Sequence, residues 1–135
     1  MKVIISGYHI QETLNKGERT IVYRGVREVD KQPVILKVLK EAYPSPRRIA
    51  WFKRESELLN RLKNLQGVVN VHDFLAYQNR LIISLEDLGG QSLANLMKLR
   101  PLRLSEFLPM AIEIVETLGQ VHQRQVIHKD INPPN

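Results

Sequence analysis

A lysine stands where a sheet core is expected. In Val34-Ile35-Leu36-Lys37-Val38-Leu39 the flanking residues are apolar on both alternating faces of an extended chain, and Ile35 and Leu39 share the face of Lys37. An ammonium in that setting needs a partner, because desolvation penalises an unpaired charge. The segment that follows supplies one. Ser45 before Pro46 has the form of an N-cap with proline at the first helical position, where its missing N–H costs nothing. Ile49, Phe52, Leu59 and Leu62 then recur at helical spacing until Gly67, which reads as the helix stop. Glu55 lies on the stripe of Phe52 and Leu59, whereas Glu57 is turned about 160 to 200° away. Taken singly, such charges read as a snorkelling lysine and a glutamate on a solvated face. Two inward charges on adjacent elements favour an ion pair between Lys37 and Glu55.

The elements around this pair are legible from alternation and turn chemistry. Residues 8–14, 20–26 and 33–39 read as three strands of an antiparallel meander, rich in β-branched and aromatic residues and separated by polar turns. Two more strands, 71–77 and 81–86, follow the helix and are joined by a Gln78-Asn79 turn. The fold class is α+β: a five-stranded antiparallel sheet with one helix packed on it, over residues 1–88. Gly89-Gly90 marks the internal boundary, and 89–135 begins a second, helical part. A short helix is expected over 93–99. A longer one, capped by Ser105 with Pro109 in its first turn, carries Leu108, Ala111, Ile112, Val115, Leu118 and His122 at spacings of three and four.

Composition narrows the function classes. At 135 residues, 43% apolar and 25% charged, the chain has the make-up of one globular domain. No apolar run approaches the about 18 residues that cross a bilayer, and the start is too briefly apolar for a signal peptide, so a cytoplasmic protein without membrane insertion is expected. The lack of cysteine excludes disulfides and thiolate metal sites, and the four histidines are scattered. A net charge of +6 attracts anions, among them nucleotide phosphates, acidic proteins and nucleic acid. The only support for nucleic acid is a charge run including Arg47, Arg48, Lys53, Arg54 and Arg61, which reads as a solvated helix face, so no nucleic-acid partner is expected.

The end of the chain, Val126-Ile127-His128-Lys129-Asp130-Ile131-Asn132-Pro133-Pro134-Asn135, is an apolar pair leading into a proline-stiffened polar loop. An Asp and an Asn five apart can converge on one point. A carboxylate there can orient and deprotonate a hydroxyl, and an amide oxygen can ligate Mg²⁺. The plain alternative is a turn in which Asp130 and Asn135 act as caps.

Taken in order, these segments resemble the protein kinase signature set. Leu14-Asn15-Lys16-Gly17-Glu18-Arg19-Thr20-Ile21-Val22-Tyr23 is similar to the Gly-rich loop, Val34-Ile35-Leu36-Lys37 to the V-A-I-K strand, Arg54-Glu55-Ser56-Glu57-Leu58-Leu59 to the middle of helix C, Leu81 to Leu88 to the fifth strand and hinge, and His128-Lys129-Asp130 through Asn135 to the catalytic loop. The resemblance implies ATP and Mg²⁺ as cofactors. Lys37, held by Glu55, would contact the α and β phosphates, Asp130 would orient the acceptor hydroxyl, and Asn135 would bind Mg²⁺. Asn15 and Gly17 would belong to the loop over the phosphates, Val22 and Leu36 would line the adenine pocket, Leu85 would be the gatekeeper, and Glu86, Asp87 and Leu88 would form the adenine contact.

The departures also have consequences. Asn15 and Thr20 replace two glycines of the loop, Lys129 replaces the usual arginine, and Asn132 stands where Ser/Thr kinases usually carry a phosphate-contacting lysine. His-x-Asp-x-x-x-x-Asn also occurs in small-molecule phosphotransferases, and the Glu55 helix and the hinge favour a protein kinase. The Asp-Phe-Gly segment does not occur before Asn135. The chain is therefore expected to be the N-terminal lobe and start of a truncated C-terminal lobe, inactive alone, either a fragment whose remainder belongs to a larger signalling protein or a truncated gene product, and the complete domain is expected to phosphorylate Ser/Thr of a protein substrate. The alternative is a noncatalytic pseudokinase or partner-binding module.

Overall fold

The computed structural model describes residues 3–127. In chain order they form β1 (Tyr8–Lys16), β2 (Thr20–Arg27), β3 (Pro33–Leu39), α1 (Pro46–Arg61), β4 (Val71–Tyr77), β5 (Arg80–Glu86), α2 (Leu93–Leu99) and α3 (Leu104–Gln123). The strands make one five-stranded sheet in the order β1-β2-β3-β5-β4, antiparallel at every neighbour. The α+β class expected from the sequence is the one observed. The described residues divide into two compact units, 3–63 with 69–88, and 64–68 with 89–127.

In the first unit, alternation along β3 splits its side chains between two faces. Val34, Leu36 and Val38 join Ile5, Tyr23 and Ile82 in one core. Leu39 joins Phe52 of α1 and Ile83 of β5 in the other, with Val71, Phe74, Leu81 and Leu85 against them. Phe52 is fully buried, and its ring lies 6.0 Å from that of Phe74 in a tilted pair. This aromatic contact sets α1 on the sheet. Ser45 Oγ accepts from the Arg48 N–H at 3.3 Å, with Pro46 opening the helix, so the predicted cap is present. The β4–β5 hairpin turns on Gln78 and Asn79, with φ of 49° and 63°, the left-handed pair that matches the twist of the flanking strands.

Four details differ from the sequence reading. β1 runs on to Lys16 and changes register twice, between Ile10 and Glu12 and between Thr13 and Asn15. Ile5, ahead of the sheet, is buried in the first core. α1 stops at Arg61 rather than continuing to Gly67, because Leu62 leaves helical geometry and its N–H turns to the Leu59 carbonyl. Gly67 serves another purpose: its φ is 88°, and a Cβ there would sit 2.6 Å from Thr117 Oγ1, so the residue lets the 64–68 segment approach α3 within the second unit.

In that second unit, Ser105 does not cap α3. The N-cap is Arg103, without a side-chain bond, and Ser105 and Glu106 already lie in the first turn. Glu106 is held there by two bonds from Arg100, at 2.7 and 2.8 Å, a placement the helix dipole favours and one that lowers its carboxyl pKa. Pro109 consequently falls in the second turn. α2 is capped by Ser92, whose Oγ accepts from the Asn95 N–H. Of the stripe read on α3, Leu118 is half-buried while Leu108, Ile112 and Val115 are exposed. No helix of the described residues is long and apolar enough to cross a membrane.

Gly25 gives the sheet a test. It is paired with Ile10, and a Cβ at this position would meet the His9 carbonyl oxygen at 2.5 Å, a backbone atom that yields only if β1 moves. Gly25→Ala is expected to lower the unfolding free energy by about 1–3 kcal/mol in urea titration. An unchanged midpoint would mean β1 is not held at this spacing.

Candidate nucleotide site

The site is assembled by register. Lys37 lies opposite Val22 of β2 and Ile83 of β5, while Ile35 lies opposite Arg24 and Leu85. These residues therefore share one face of the sheet, the face on which Leu39, Ile83 and Leu85 pack with Phe52 of α1. α1 brings Glu55 to the same face, one turn beyond Phe52. Lys37 Nζ donates to Glu55 Oε1 at 2.5 Å, with the two side chains 25% and 34% exposed. A cation so placed is oriented by its carboxylate and is still reachable by a second anion.

Leu36 requires a correction. It lies opposite Tyr23 and Ser84, is fully buried, and belongs to the core on the other face of the sheet. It cannot line a pocket together with Val22, because adjacent residues of a strand point to opposite sides. Ile35 is the β3 residue on the Lys37 face.

The segment after β5 is tied from two directions. The Glu86 N–H donates to the Asn70 carbonyl at 2.9 Å, and Glu86 Oε1 accepts from the Asn70 N–H at 2.7 Å. Asp87 accepts from Arg24 Nε at 2.7 Å and from Nη2 at 3.4 Å, and its side chain is only 5% exposed. Arg24 also reaches Glu12 of β1 at 3.1 Å. The Asp87 bond is the chief cause of the raised pKa of the Arg24 guanidinium, partly opposed by desolvation. The Asp87 carboxylate is therefore engaged, and Leu88 beyond it is exposed. The β1–β2 turn is short. Asn15 pairs with Val22 and Lys16 with Ile21, and the Gly17 N–H donates to the Thr20 carbonyl at 2.9 Å.

Asp130 and Asn135, the proposed hydroxyl-orienting and Mg²⁺-ligating residues, lie outside the described residues. Among the described residues no group of three or more His, Cys, Asp or Glu is placed to hold a metal. Two shallow concavities, of about 280 and 330 Å³, lie under the β1–β2 turn and at the start of α1, lined by residues including Arg19, Arg48 and Trp51. Neither includes Lys37 or Glu55. Sequence reasoning missed Arg24, although its position two residues after Val22 puts it on the same face as Lys37.

A five-stranded antiparallel sheet with one helix set between its third and fourth strands, and an inward lysine gripped from that helix, defines a protein-kinase-like N-terminal lobe. Comparison with known proteins agrees: the protein kinase domain profile matches residues 8–135, and the chain belongs to that family. It is 28% identical over 135 residues to a probable serine/threonine-protein kinase of Clostridium acetobutylicum, covering 98% of this chain and 20% of the relative. It is 29% identical over 137 residues to the serine/threonine-protein kinase pkn3 of Myxococcus xanthus, covering 99% of this chain and 25% of the relative. The serine/threonine-protein kinase pkn2 of the same organism is 27% identical over 134 residues, covering 98% and 16% respectively. The chain thus spans a quarter or less of the length of these relatives.

The Lys37–Glu55 pair is partly solvated, which limits its contribution to stability. A double-mutant cycle with Lys37→Met and Glu55→Gln is expected to give a coupling of about 1 kcal/mol, falling as salt is raised. Zero coupling at low salt would mean that the two side chains do not meet in solution.

Proposed function

We propose that this chain binds ATP through the Lys37 face and that, in a complete kinase domain, the site transfers the γ-phosphate to Ser/Thr hydroxyls of a protein. The observation that carries the reading is the ammonium of Lys37, fixed by Glu55 beside an apolar strip of Val22, Ile35 and Leu85. Such a site offers a planar base an apolar slot and offers phosphates a charge that needs no reorganisation. Leu88, exposed beyond Asp87, is where backbone groups would meet the edge of the base. On this reading residues 1–88 are the nucleotide-binding lobe with its hinge, and 89–135 open the second lobe.

The transfer step is mainly positioning and charge stabilisation. Lys37 holds the α and β phosphates. Asp130 accepts a hydrogen bond from the hydroxyl and takes its proton as the oxygen bonds to the γ-phosphorus, while the bond from that phosphorus to the bridging oxygen breaks and ADP leaves. Mg²⁺, for which Asn135 is the ligand this sequence offers, neutralises phosphate charge when bound.

A second reading is supported by one specific feature. Strand pairing extends to Asn15 and Lys16, and Thr20 is already paired with Leu39, so few residues remain free to close over phosphates. A nucleotide-binding module without transfer fits that geometry.

Two measurements separate these readings. Calorimetric titration with ATP and Mg²⁺ is expected to show binding that Lys37→Met weakens by about tenfold or more. No binding by the unsubstituted chain would overturn both. In a form of the protein carrying a full kinase domain, phosphoryl transfer abolished by Asp130→Ala supports the enzyme, and binding without transfer supports the module.

A further inference from the structure

We propose that Arg24 is a positioning residue for the base-reading segment, clamping Asp87 and thereby fixing the backbone of 86–88 independently of the phosphate-holding pair. The inference rests on the nucleotide reading above and deepens it. Asp87 immediately follows Glu86, the last residue of β5, and its carboxylate is almost wholly buried. A carboxylate in that position is stable only when compensated, and the guanidinium of Arg24 does so with Nε at 2.7 Å and Nη2 at 3.4 Å. Arg24 is itself steered by Glu12, so one network joins β1, β2 and the residue after β5.

Geometry gives this network its role. Arg24 lies opposite Ile35, and Ile35 lies opposite Leu85, so the clamp crosses the sheet on the Lys37 face. Glu86 is meanwhile tied the other way, to Asn70, through backbone and side chain alike. The segment is thus held from both sides, which sets the backbone groups that would meet the edge of a purine. Lys37 and Glu55 are paired with each other and share no bond with this network. Base reading and phosphate holding should therefore be separable by mutation. Arginine rather than lysine matters here, since only a planar fork can engage Asp87 while also reaching Glu12.

The test compares ADP with inorganic tripolyphosphate on the 135-residue chain by calorimetry. Arg24→Met is expected to weaken ADP binding about tenfold and to change tripolyphosphate binding by less than about twofold, with Arg24→Lys between the two. The exchange Arg24→Asp with Asp87→Arg is expected to recover a substantial part of the loss. Should Arg24→Met fail to fold, Asp87→Asn, which keeps one acceptor, carries the same comparison. Equal losses for both ligands, or an ADP affinity unmoved in Arg24→Met and Asp87→Asn, would overturn the inference and leave the nucleotide reading intact. Absence of ADP binding to the unsubstituted chain would remove both.

Discussion

An ammonium in the middle strand of a sheet must be paired, and in this protein that requirement joins the fold to the chemistry. Lys37 lies between Val22 and Ile83, its apolar neighbours on the adjacent strands. The nearest carboxylate arrives only if α1 docks with Phe52 against Leu39, Ile83 and Phe74. One turn further along the helix, Glu55 then meets Nζ. Hydrophobic burial places the helix, and the ion pair follows from that placement rather than causing it. The pair is partly solvated, so its effect on global stability is small beside that of Phe52. Its value is orientational, because it aims a fixed positive charge at one face of the sheet.

The same face carries a second charged assembly. Glu12, Arg24 and Asp87 form an ion-pair network at the opposite end of the Ile35–Lys37 strip, where the chain leaves β5. Val22, Ile35 and Leu85 share that face with them. A strip with a cation at one end and a tethered backbone at the other suits a ligand with a polyanionic tail and a flat, hydrogen-bonding head. That match, together with membership of the protein kinase domain family, is the support for the proposal that the ligand is ATP.

Much of this was legible in the sequence, for identifiable reasons. Strands with period-two alternation and the Ser45-Pro46 helix start are local signals, and local signals transmit well. The partnership of Lys37 with Glu55 could be argued because both residues violate their surroundings. Leu36 departs from the expectation because alternation along β3 puts it across the sheet from Val22, a point that a motif match does not carry. Arg24 escaped notice since a charged residue on a strand gives no sign of its partner until the register with Ile35 and the position of Asp87 are known. The end of α1 was set too late because Gly67 has the φ of a helix stop but serves a close approach to Thr117, a tertiary fact. Ser105 failed as a cap because Arg100 and Glu106 secure the first turn of α3 without it.

The most direct measurement is a crystal structure of the chain with a non-hydrolysable ATP analogue. The account predicts phosphate oxygens within hydrogen-bonding distance of Lys37 Nζ while Glu55 still holds it, with the base stacked on Val22 and Ile35 and its edge against the backbone of 86–88. An analogue seated elsewhere, or a Lys37 that has left Glu55 and turned to solvent, would contradict it.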